Sequence, residues 1–277
     1  MTQGPQDAPI RLSGWALILG ASSGFGEATA LALAGAGMSI VGVHLDRKAT
    51  LPNAERIAAE VKRRGGQALF FNVNAADAAR RAEVLDAVEQ ELRARGEEGQ
   101  LRVLLHSLAF GTLRLFVADT PRDAVTKDQM DMTLDVMAHS LIYWTQDVVA
   151  RGLMRAGGRV FAMTSGGGTR VLPNYGPVSG AKAALESHVR QLAMELARAH
   201  SGITVNAIRA GVTMTPALMK IPEHDMIIAS ATARNPTGRM TTTEDVANAI
   251  VALSGEGTGF ISGEVIGVDG AEFVTGS

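Results

Sequence analysis

The residues best suited to chemistry lie late in the chain, where Tyr175 and Lys182 are seven positions apart. Tyr175 opens a helical segment, so this spacing places both side chains on one helical face, two turns apart. Upstream, Ser165 closes an apolar run that is typical of a buried strand. A phenol can donate a hydrogen bond to a substrate oxygen, and a nearby ammonium lowers the pKa of that phenol. Each residue alone is more typical of a structural role, but together they predict a catalytic set that polarises a substrate oxygen.

A glycine-rich loop near the N-terminus is suited to holding phosphate groups. The apolar run Trp15–Leu19 leads into glycines with the spacing G-x-x-x-G-x-G, and an alanine- and leucine-rich helix follows. Glycines allow the backbone to approach a pyrophosphate, while a helix N-terminus offers unpaired N–H groups. Glycine-rich turns also occur for packing alone, but the strand before and the helix after predict nucleotide binding. The cofactor residues predicted here are Gly20, Ser22, Ser23, Gly24, Phe25 and Gly26.

Residues 44–48 follow the second predicted strand and should meet the adenosine ribose. Asp46 lies about 20 residues beyond the glycine loop, where an acidic residue favours a free 2′-hydroxyl. Arg47 and Lys48 follow immediately and offer two positive charges to a 2′-phosphate. A solvated charged turn is an equally good interpretation of these residues. We expect His44 and Arg47 to contact the cofactor, and NADP(H) to be preferred over NAD(H).

These side chains need a scaffold that brings strand ends together, and the chain alternates strands with helices. Stretches with helical periodicity, such as residues 54–64, 79–95 and 123–154, separate most of the β-rich runs. This alternation predicts a Rossmann-like doubly wound α/β fold, with a parallel sheet of about seven strands and helices on both faces. The C-terminal ends of such strands border the ligand crevice, where the candidate residues should meet. The β-rich runs begin near Ala16, Ser39, Ala68, Arg102, Arg159, Ile203 and Glu264.

Composition supports a domain with a large core and excludes several function classes. Of the 277 residues, 46% are hydrophobic and 19% are charged, which predicts a single domain over residues 11–277 after a flexible tail, residues 1–10. A net charge of −2 without a basic run argues against nucleic-acid binding. The chain has no cysteine, and its six histidines lack metal-ligand spacing, so we expect no metal site.

Other segments bear on location and assembly. Residues 28–45 lack Asp, Glu, Lys and Arg, but their glycines favour a helix followed by a buried strand over a membrane span. With no signal peptide visible, we expect a cytoplasmic protein. The apolar run 260–268 predicts an edge strand that needs covering, and hence a homo-oligomer. Residues 217–240 either cover the ligand crevice or form an ordinary surface connection. The methionines that could line an acyl pocket there, or fill the core, are Met214, Met219, Met226 and Met240.

Together these motifs resemble the short-chain dehydrogenases/reductases over essentially the whole chain. The common pattern of that family is Tyr-x3-Lys, but Val178 stands four positions before Lys182. Tyr-x6-Lys is the pattern of the enoyl-acyl-carrier-protein reductase branch, which residues 106–110 and 172–175 also resemble. The parts that match the wider family are the glycine loop, Ser165, Lys182, residues 210–215 and residues 261–270.

The resemblance implies an NAD(P)H-dependent homotetrameric oxidoreductase that reduces the C=C bond of an enoyl thioester, small or carrier-bound, in fatty acid synthesis. Tyr175 would stabilise the enolate oxygen, while Lys182 would hold the ribose and tune the phenol. The adenine would lie near the end of the third strand, and the nicotinamide amide near Val212 and Thr213. The further cofactor residues implied are Asn72, Val73, Ser107, Leu108, Ala109, Lys182, Gly211, Val212, Thr213 and Thr215.

Two departures from the branch keep alternatives open. Ser165 stands where many enoyl reductases carry a second tyrosine, and Met137 stands where the common catalytic tetrad has an asparagine. One alternative is a carbonyl reductase or alcohol dehydrogenase, in which Ser165 and Tyr175 act on a ketone. Another is a non-catalytic nucleotide-binding regulator, although a mere binder would not need a phenol beside Lys182.

Overall fold

The computed structural model describes residues 10–199, 202–222 and 224–275, so the predicted tail lies outside the described residues except for residue 10. Within these residues seven strands form one sheet, and all neighbouring strands run parallel in the order β3-β2-β1-β4-β5-β6-β7. This arrangement confirms the predicted Rossmann-like doubly wound fold. The strands are β1 Trp15–Leu19, β2 Ser39–His44, β3 Ala68–Asn72, β4 Leu101–His106, β5 Arg159–Ser165, β6 Thr204–Ala210 and β7 Val265–Val268.

Helices connect the strands, and one predicted helical stretch is interrupted. Residues 123–154 contain two α-helices joined by a π-helical turn, Asp135–His139. The first of them starts after Thr126, whose hydroxyl and backbone form a capping box with Gln129. The chain leaves the second just before Gly152, which has a left-handed φ of 65°. The α-helices are α1 Gly24–Gly35, α2 Leu51–Arg63, α3 Ala78–Arg95, α4 Lys127–Leu134, α5 Ser140–Ala150, α6 Gly176–Ala199, α7 His224–Arg234 and α8 Thr243–Leu253.

The two faces of the sheet carry separate apolar cores. Helices α3, α5 and α6 pack on one face, while α1, α2 and α8 pack on the other. All five residues of β1 are buried because helices cover that strand from both sides. Residues 28–45 form most of α1 and then β2, as predicted. Among the described residues, no helix is both long and apolar enough to cross a membrane.

The order of the strands reverses at β1, and this reversal creates the crevice. Because β1 lies between β2 and β4, successive units wind away from it in opposite directions. The loops after β1 and β4 therefore diverge and leave an opening at the carboxyl edge of the sheet. The N–H of Ser107 donates to the carbonyl of Leu19 over 2.9 Å, which fixes the start of the second loop beside the first.

Candidate active site

A cleft of about 450 Å³ lies at the carboxyl edge of the sheet, and the glycine loop forms one end of it. Gly20 and Gly24 have left-handed φ values of 90° and 54°, which favour glycine. A Cβ on Gly20 would lie 2.3 Å from the carbonyl oxygen of Ser107, so the loop can only close against that backbone without a side chain. Ser23 at the N-cap of α1 makes no side-chain capping bond, which leaves helix N–H groups free for an anion. The loop therefore fits a pyrophosphate.

Most of the side chains predicted from the sequence converge on this cleft. They come from the loops after β1, β2, β3, β4, β5 and β6, and from α6. The predicted residues that line it are Gly20, Ser22, Ser23, Gly24, Phe25, His44, Val73, Ser107, Leu108, Ala109, Ser165, Tyr175, Lys182, Gly211, Val212, Thr213 and Thr215.

Three predicted cofactor residues lie outside the lining of the cleft. Gly26 is buried beneath the loop, where a Cβ would lie 2.0 Å from the carbonyl oxygen of Gly20, so it shapes the loop and does not face a ligand. Asn72 uses its side-chain amide to hold the backbone of Asp46, through bonds of 2.8 and 3.0 Å. Arg47 is exposed beyond the end of β2.

The carboxylate of Asp46 is turned inward and is 11% exposed. Its Oδ2 lies 2.8 Å from Nδ1 of His44. Burial would raise the pKa of Asp46, but hydrogen bonds from Thr50, Ser22 and His44 outweigh it and lower that pKa below its ordinary value. Asp46 is therefore a charged residue that is already engaged within the protein.

The three predicted catalytic residues come together at the end of β5. Ser165 is the last residue of that strand, and its Oγ lies 3.4 Å from the hydroxyl oxygen of Tyr175. Lys182 is buried on α6, and its Nζ donates to the carbonyl of Met163 over 2.7 Å. The phenol and the serine hydroxyl face the same part of the cleft and could hold one substrate oxygen between them.

Burial changes the protonation of two members of this set. It raises the pKa of the Tyr175 phenol, and the hydrogen bond with Ser165 opposes this only in part. It lowers the pKa of Lys182 to about 8, although the nearby carboxylate of Glu186 opposes the change. At neutral pH the phenol is thus a hydrogen-bond donor, and the lysine is mostly an ammonium.

The side chain one turn closer to Lys182 is apolar. Val178 is buried and packs with Val136, Met137 and Ala181, and Tyr175 lies against this cluster. Met137, which stands where the asparagine of the common tetrad is expected, belongs to the π-helical turn and contributes only an apolar wall. Val178 and Met137 therefore add no polar group beside the phenol.

His106 ends β4 and is wholly buried beneath the site. Its Nε2 lies 2.8 Å from the hydroxyl of Ser140. Burial, and secondarily the charge of Lys182, lower the pKa of His106 to about 3, so the ring is neutral at physiological pH. It is a buried polar structural contact near Lys182.

Residues 217–240 do form a wall of the cleft, but the methionines do not line it, and three of the four are too exposed to fill the core. Met214, Met219 and Met226 are 53%, 47% and 68% exposed, and neither they nor Met240 line the cleft. Because successive residues of a helix face different directions, the neighbours of the methionines supply the apolar surface instead. The residues that do so are Leu218, Ile221 and Ile227.

The sequence reasoning missed a charged group at the other end of the cleft. It lies where the chain after β7 returns to the site, and its members are far apart in sequence. Glu272 is buried, and its Oε2 accepts a hydrogen bond of 3.0 Å from the N–H of Val212. Burial raises the pKa of Glu272 despite this bond and nearby arginines. The members that line the cleft are Arg170, Arg209, Arg234, Asp269, Glu272 and Phe273.

Among the described residues, no three His, Cys, Asp or Glu side chains form a group that could hold a metal ion. The polar side chains that line the cleft are instead hydroxyls, an amide, an imidazole, three guanidiniums, two ammoniums and two carboxylates. These groups can hold anions and polarise an oxygen.

Comparisons with known proteins agree with this chemistry. A family model described as enoyl-(acyl carrier protein) reductase matches residues 20–271. Over 260 residues the chain is 30% identical to the 1-cyclohexenylcarbonyl-CoA reductase of Streptomyces collinus, covering 92% of this chain and 85% of that one. Over 182 residues it is 33% identical to the NADH-dependent enoyl-(acyl-carrier-protein) reductase FabI of Aquifex aeolicus, and this match covers 64% of each chain.

A solved structure extends the range of similar enzymes. The promiscuous reductase LugOII, which catalyses keto-reduction at C1 during lugdunomycin biosynthesis, is similar with a TM-score of 0.80 and 28% identity. The similarity covers 96% of this chain and 100% of that one. Reductases of carbon–carbon and of carbon–oxygen double bonds are therefore both among its relatives.

Proposed function

The chain belongs to the enoyl-(acyl carrier protein) reductase family of the short-chain dehydrogenases/reductases, and from this premise we propose that it reduces the C=C bond of an enoyl thioester. Its coarser activity, NAD(P)H-dependent reduction, is that of the superfamily. The finer proposal concerns the bond reduced and a thioester of the kind used in fatty acid synthesis, bound to a carrier or to a small thiol.

The position of the phenol carries the proposal. Tyr175 lies seven residues before Lys182, and buried Val178 occupies the position one helical turn nearer. One turn displaces a hydroxyl by about 5 Å along the helix. A ketone accepts hydride at the carbon bonded to its oxygen, whereas an enoyl thioester accepts it at the β-carbon, beyond the α-carbon. A phenol set further from the hydride donor suits the second arrangement.

The residues of the chain account for the polar part of this reaction. A bound nicotinamide would supply the hydride. Tyr175 would donate its hydrogen bond to the thioester oxygen as negative charge develops there, and its raised pKa keeps the proton available. Lys182 would stabilise that charge while it is an ammonium, below about pH 8, and could hydrogen-bond the ribose of the cofactor. The apolar cluster around Val178 would keep water from the phenol.

A second candidate, reduction of a ketone, is favoured by one observation. The Ser165 hydroxyl lies 3.4 Å from that of Tyr175, so the two could bind a single carbonyl oxygen from both sides. In that reaction the serine hydroxyl would position the oxygen, and the phenol would deliver the proton to the alkoxide.

A spectrophotometric assay of cofactor oxidation, with a crotonyl thioester beside an acetoacetyl thioester, tests both candidates. We expect turnover of the crotonyl thioester, and Tyr175→Phe should lower kcat by about 10²–10⁴ without weakening cofactor binding. Ser165→Ala is the matched control, because it removes the neighbouring hydroxyl and should affect acetoacetyl turnover more. Turnover of the acetoacetyl thioester alone would establish the ketone reductase. Intact cofactor binding without turnover of either would favour a non-catalytic regulator.

For the cofactor we propose a preference for NADP(H). The carboxylate of Asp46 is engaged by His44, so it is poorly placed to bind a ribose hydroxyl. Arg47 and Lys48 are exposed directly after it and can reach a 2′-phosphate. Arg47→Ala should lower the ratio of NADPH to NADH turnover by about tenfold. An unchanged ratio would show that Arg47 does not bind the 2′-phosphate.

We also propose a homotetramer. Strand β7 is the edge of the sheet, and next to it Phe260 is fully exposed and Ile261 is 38% exposed. An apolar sheet edge invites pairing, and a second copy of the chain would cover it. Light scattering at micromolar concentration should report four chains, and a monomer there would contradict the proposal.

A further inference from the structure

Three arginines on separate elements meet at the end of the cleft beyond the catalytic residues. Arg170 follows β5, Arg209 is near the end of β6, and Arg234 ends α7. The guanidinium carbon of Arg209 is 3.7 Å from the ring centroid of Phe273, and that of Arg170 is 4.3 Å from it. Two guanidiniums against one ring bring like charges close together, which is unfavourable unless an anion lies nearby.

The carboxylates in this part of the protein do not satisfy that charge. Asp269 is the acid paired with Arg209, at 4.0 Å, and Glu272 is the acid paired with Arg234, at 3.8 Å. Both distances are too long for direct hydrogen bonds. The Nε atoms of Arg209 and Arg234 are buried and have no hydrogen-bond partner among the described residues. The side chains of these two arginines are nevertheless 20% and 30% exposed, and they line the cleft.

The side chains that line the whole cleft also carry an excess of positive charge. Its lysines and arginines outnumber its carboxylates by five to two. The phosphates of a dinucleotide would lie at the glycine loop after β1, whereas Arg209 lies on β6, three strands away in the sheet, so they do not account for the arginines. The cations are Arg170, Lys182, Arg209, Lys220 and Arg234, and the acids are Asp269 and Glu272.

The arginine group lies close to the reacting centre. Gly166 follows Ser165 directly, and a Cβ on Gly166 would lie 3.3 Å from the ring of Phe273. Phe273, which both Arg170 and Arg209 contact, therefore lies against the turn that directly follows Ser165.

We propose that Arg170, Arg209 and Arg234 form a subsite for a carboxylate carried by the substrate bound in the same cleft. This inference rests on the proposed function, because it assigns the substrate class of the same site: a thioester or ketone with an acidic acyl group. Guanidiniums bind carboxylates through paired, charge-assisted hydrogen bonds. The phosphate of a pantetheine arm is a second source of anionic oxygens, and two amide units separate it from the thioester.

Calorimetry on the protein saturated with NADP⁺ tests the subsite without turnover. The probes are succinate, its uncharged isostere succinamide, and 4′-phosphopantetheine. Succinate should bind and succinamide should not, and Arg209→Met should weaken succinate binding by about tenfold to a hundredfold. Arg93→Met is the matched control, because Arg93 lies on α3, is 68% exposed and does not line the cleft. If Arg209→Met does not fold, Arg170→Met makes the same test from another element.

Equal affinity for succinate and succinamide, or unchanged succinate affinity in the folded arginine variants, would overturn the subsite. Arginine-dependent binding of 4′-phosphopantetheine with no binding of succinate would assign the group to a carrier phosphate and overturn the carboxylate. These outcomes are independent of the reaction. If the protein binds succinate through Arg209 but reduces neither test thioester, the subsite is supported and the proposed function is contradicted.

Discussion

Replacing Lys182 with methionine should stabilise the fold while it abolishes turnover. Burial lowers the pKa of Lys182 from 10.5 to about 8, and a depression of that size corresponds to about 3 kcal/mol of folding free energy while the ammonium is charged in both states. Methionine has a similar length and no charge, so it removes this cost. It also leaves the carbonyl of Met163 without the donor now 2.7 Å away, a loss of about 1 kcal/mol. We expect a net gain of about 2 kcal/mol at pH 7.

The sign of the effect should reverse as the pH rises. Below pH 8 the lysine is protonated in the native and unfolded states, and the full cost is present. Between pH 8 and 10.5 the native state has released a proton that the unfolded state keeps, so the wild type gains about 1.4 kcal/mol per pH unit relative to the variant. Above pH 10.5 the lysine is neutral in both states, and the hydrogen bond to Met163 should leave the wild type more stable.

Urea unfolding at pH 7, 8, 9 and 10, followed by the fluorescence of the buried Trp15 and Trp144, measures this difference. Lys62→Met is the control, because Lys62 is exposed on α2 and its removal should not change stability with this pH dependence. The prediction would be refuted if Lys182→Met were less stable than the wild type at pH 7 and the difference in unfolding free energy stayed constant up to pH 10. The buried ammonium would then not destabilise the fold. Cofactor binding should weaken in the same variant, since Lys182 is also assigned to the ribose.

Four further predictions follow from contacts in the structure. Turnover should fall as the pH rises through about 8, because Lys182 loses its charge, and a pH–rate profile without a break there would contradict that role. Glu186→Gln removes the carboxylate that raises the pKa of Lys182, so it should move the break to lower pH in the same profile. Gly26→Ala would place a methyl 2.0 Å from the carbonyl oxygen of Gly20, and we expect it to cost about 1–3 kcal/mol in urea unfolding and to weaken cofactor binding as the loop shifts. Thr242→Ala removes the capping-box hydroxyl of α8, and the same unfolding assay should show a loss of about 1 kcal/mol with unchanged turnover.

The sequence could predict the fold because its strongest signals are local. Apolar runs separated by stretches of helical periodicity predict the start of each strand to within two residues. They do so because a strand covered on both faces must be continuously apolar, as β1 is. The glycine loop can be recognised in the sequence for the same reason. Only glycine can adopt the left-handed φ at Gly20 and the close backbone contact at Gly26. The start of α8 is an equally local feature, because Thr242 and Asp245 form its capping box within four residues.

The parts that sequence reasoning missed depend on how distant segments meet. Glu272 and the N–H of Val212 are 60 positions apart, and only the return of the chain after β7 brings them into contact. Arg209 sits within a strand, where its spacing gives no sign that its guanidinium reaches the cleft. The methionine pocket failed for a finer reason: Ile227 faces the cleft and its neighbour Met226 faces solvent, a difference of one position that composition does not reveal.

The junction before α6 explains how the spacing Tyr-x6-Lys positions the phenol in the structure. Tyr175 lies outside the helix, yet its carbonyl accepts a hydrogen bond of 2.8 Å from the N–H of Ser179, so it already takes part in the helical ladder. Just before it, Asn174 has a left-handed φ of 60°, a conformation that asparagine tolerates better than most residues. The turn at Asn174 and the first bond of the helix therefore set the direction of the phenol together. Val178 and Lys182 share one face of α6, and this hydrogen bond extends that face to Tyr175, which precedes the helix. The junction between loop and helix therefore holds the phenol beside Ser165, together with the helix itself.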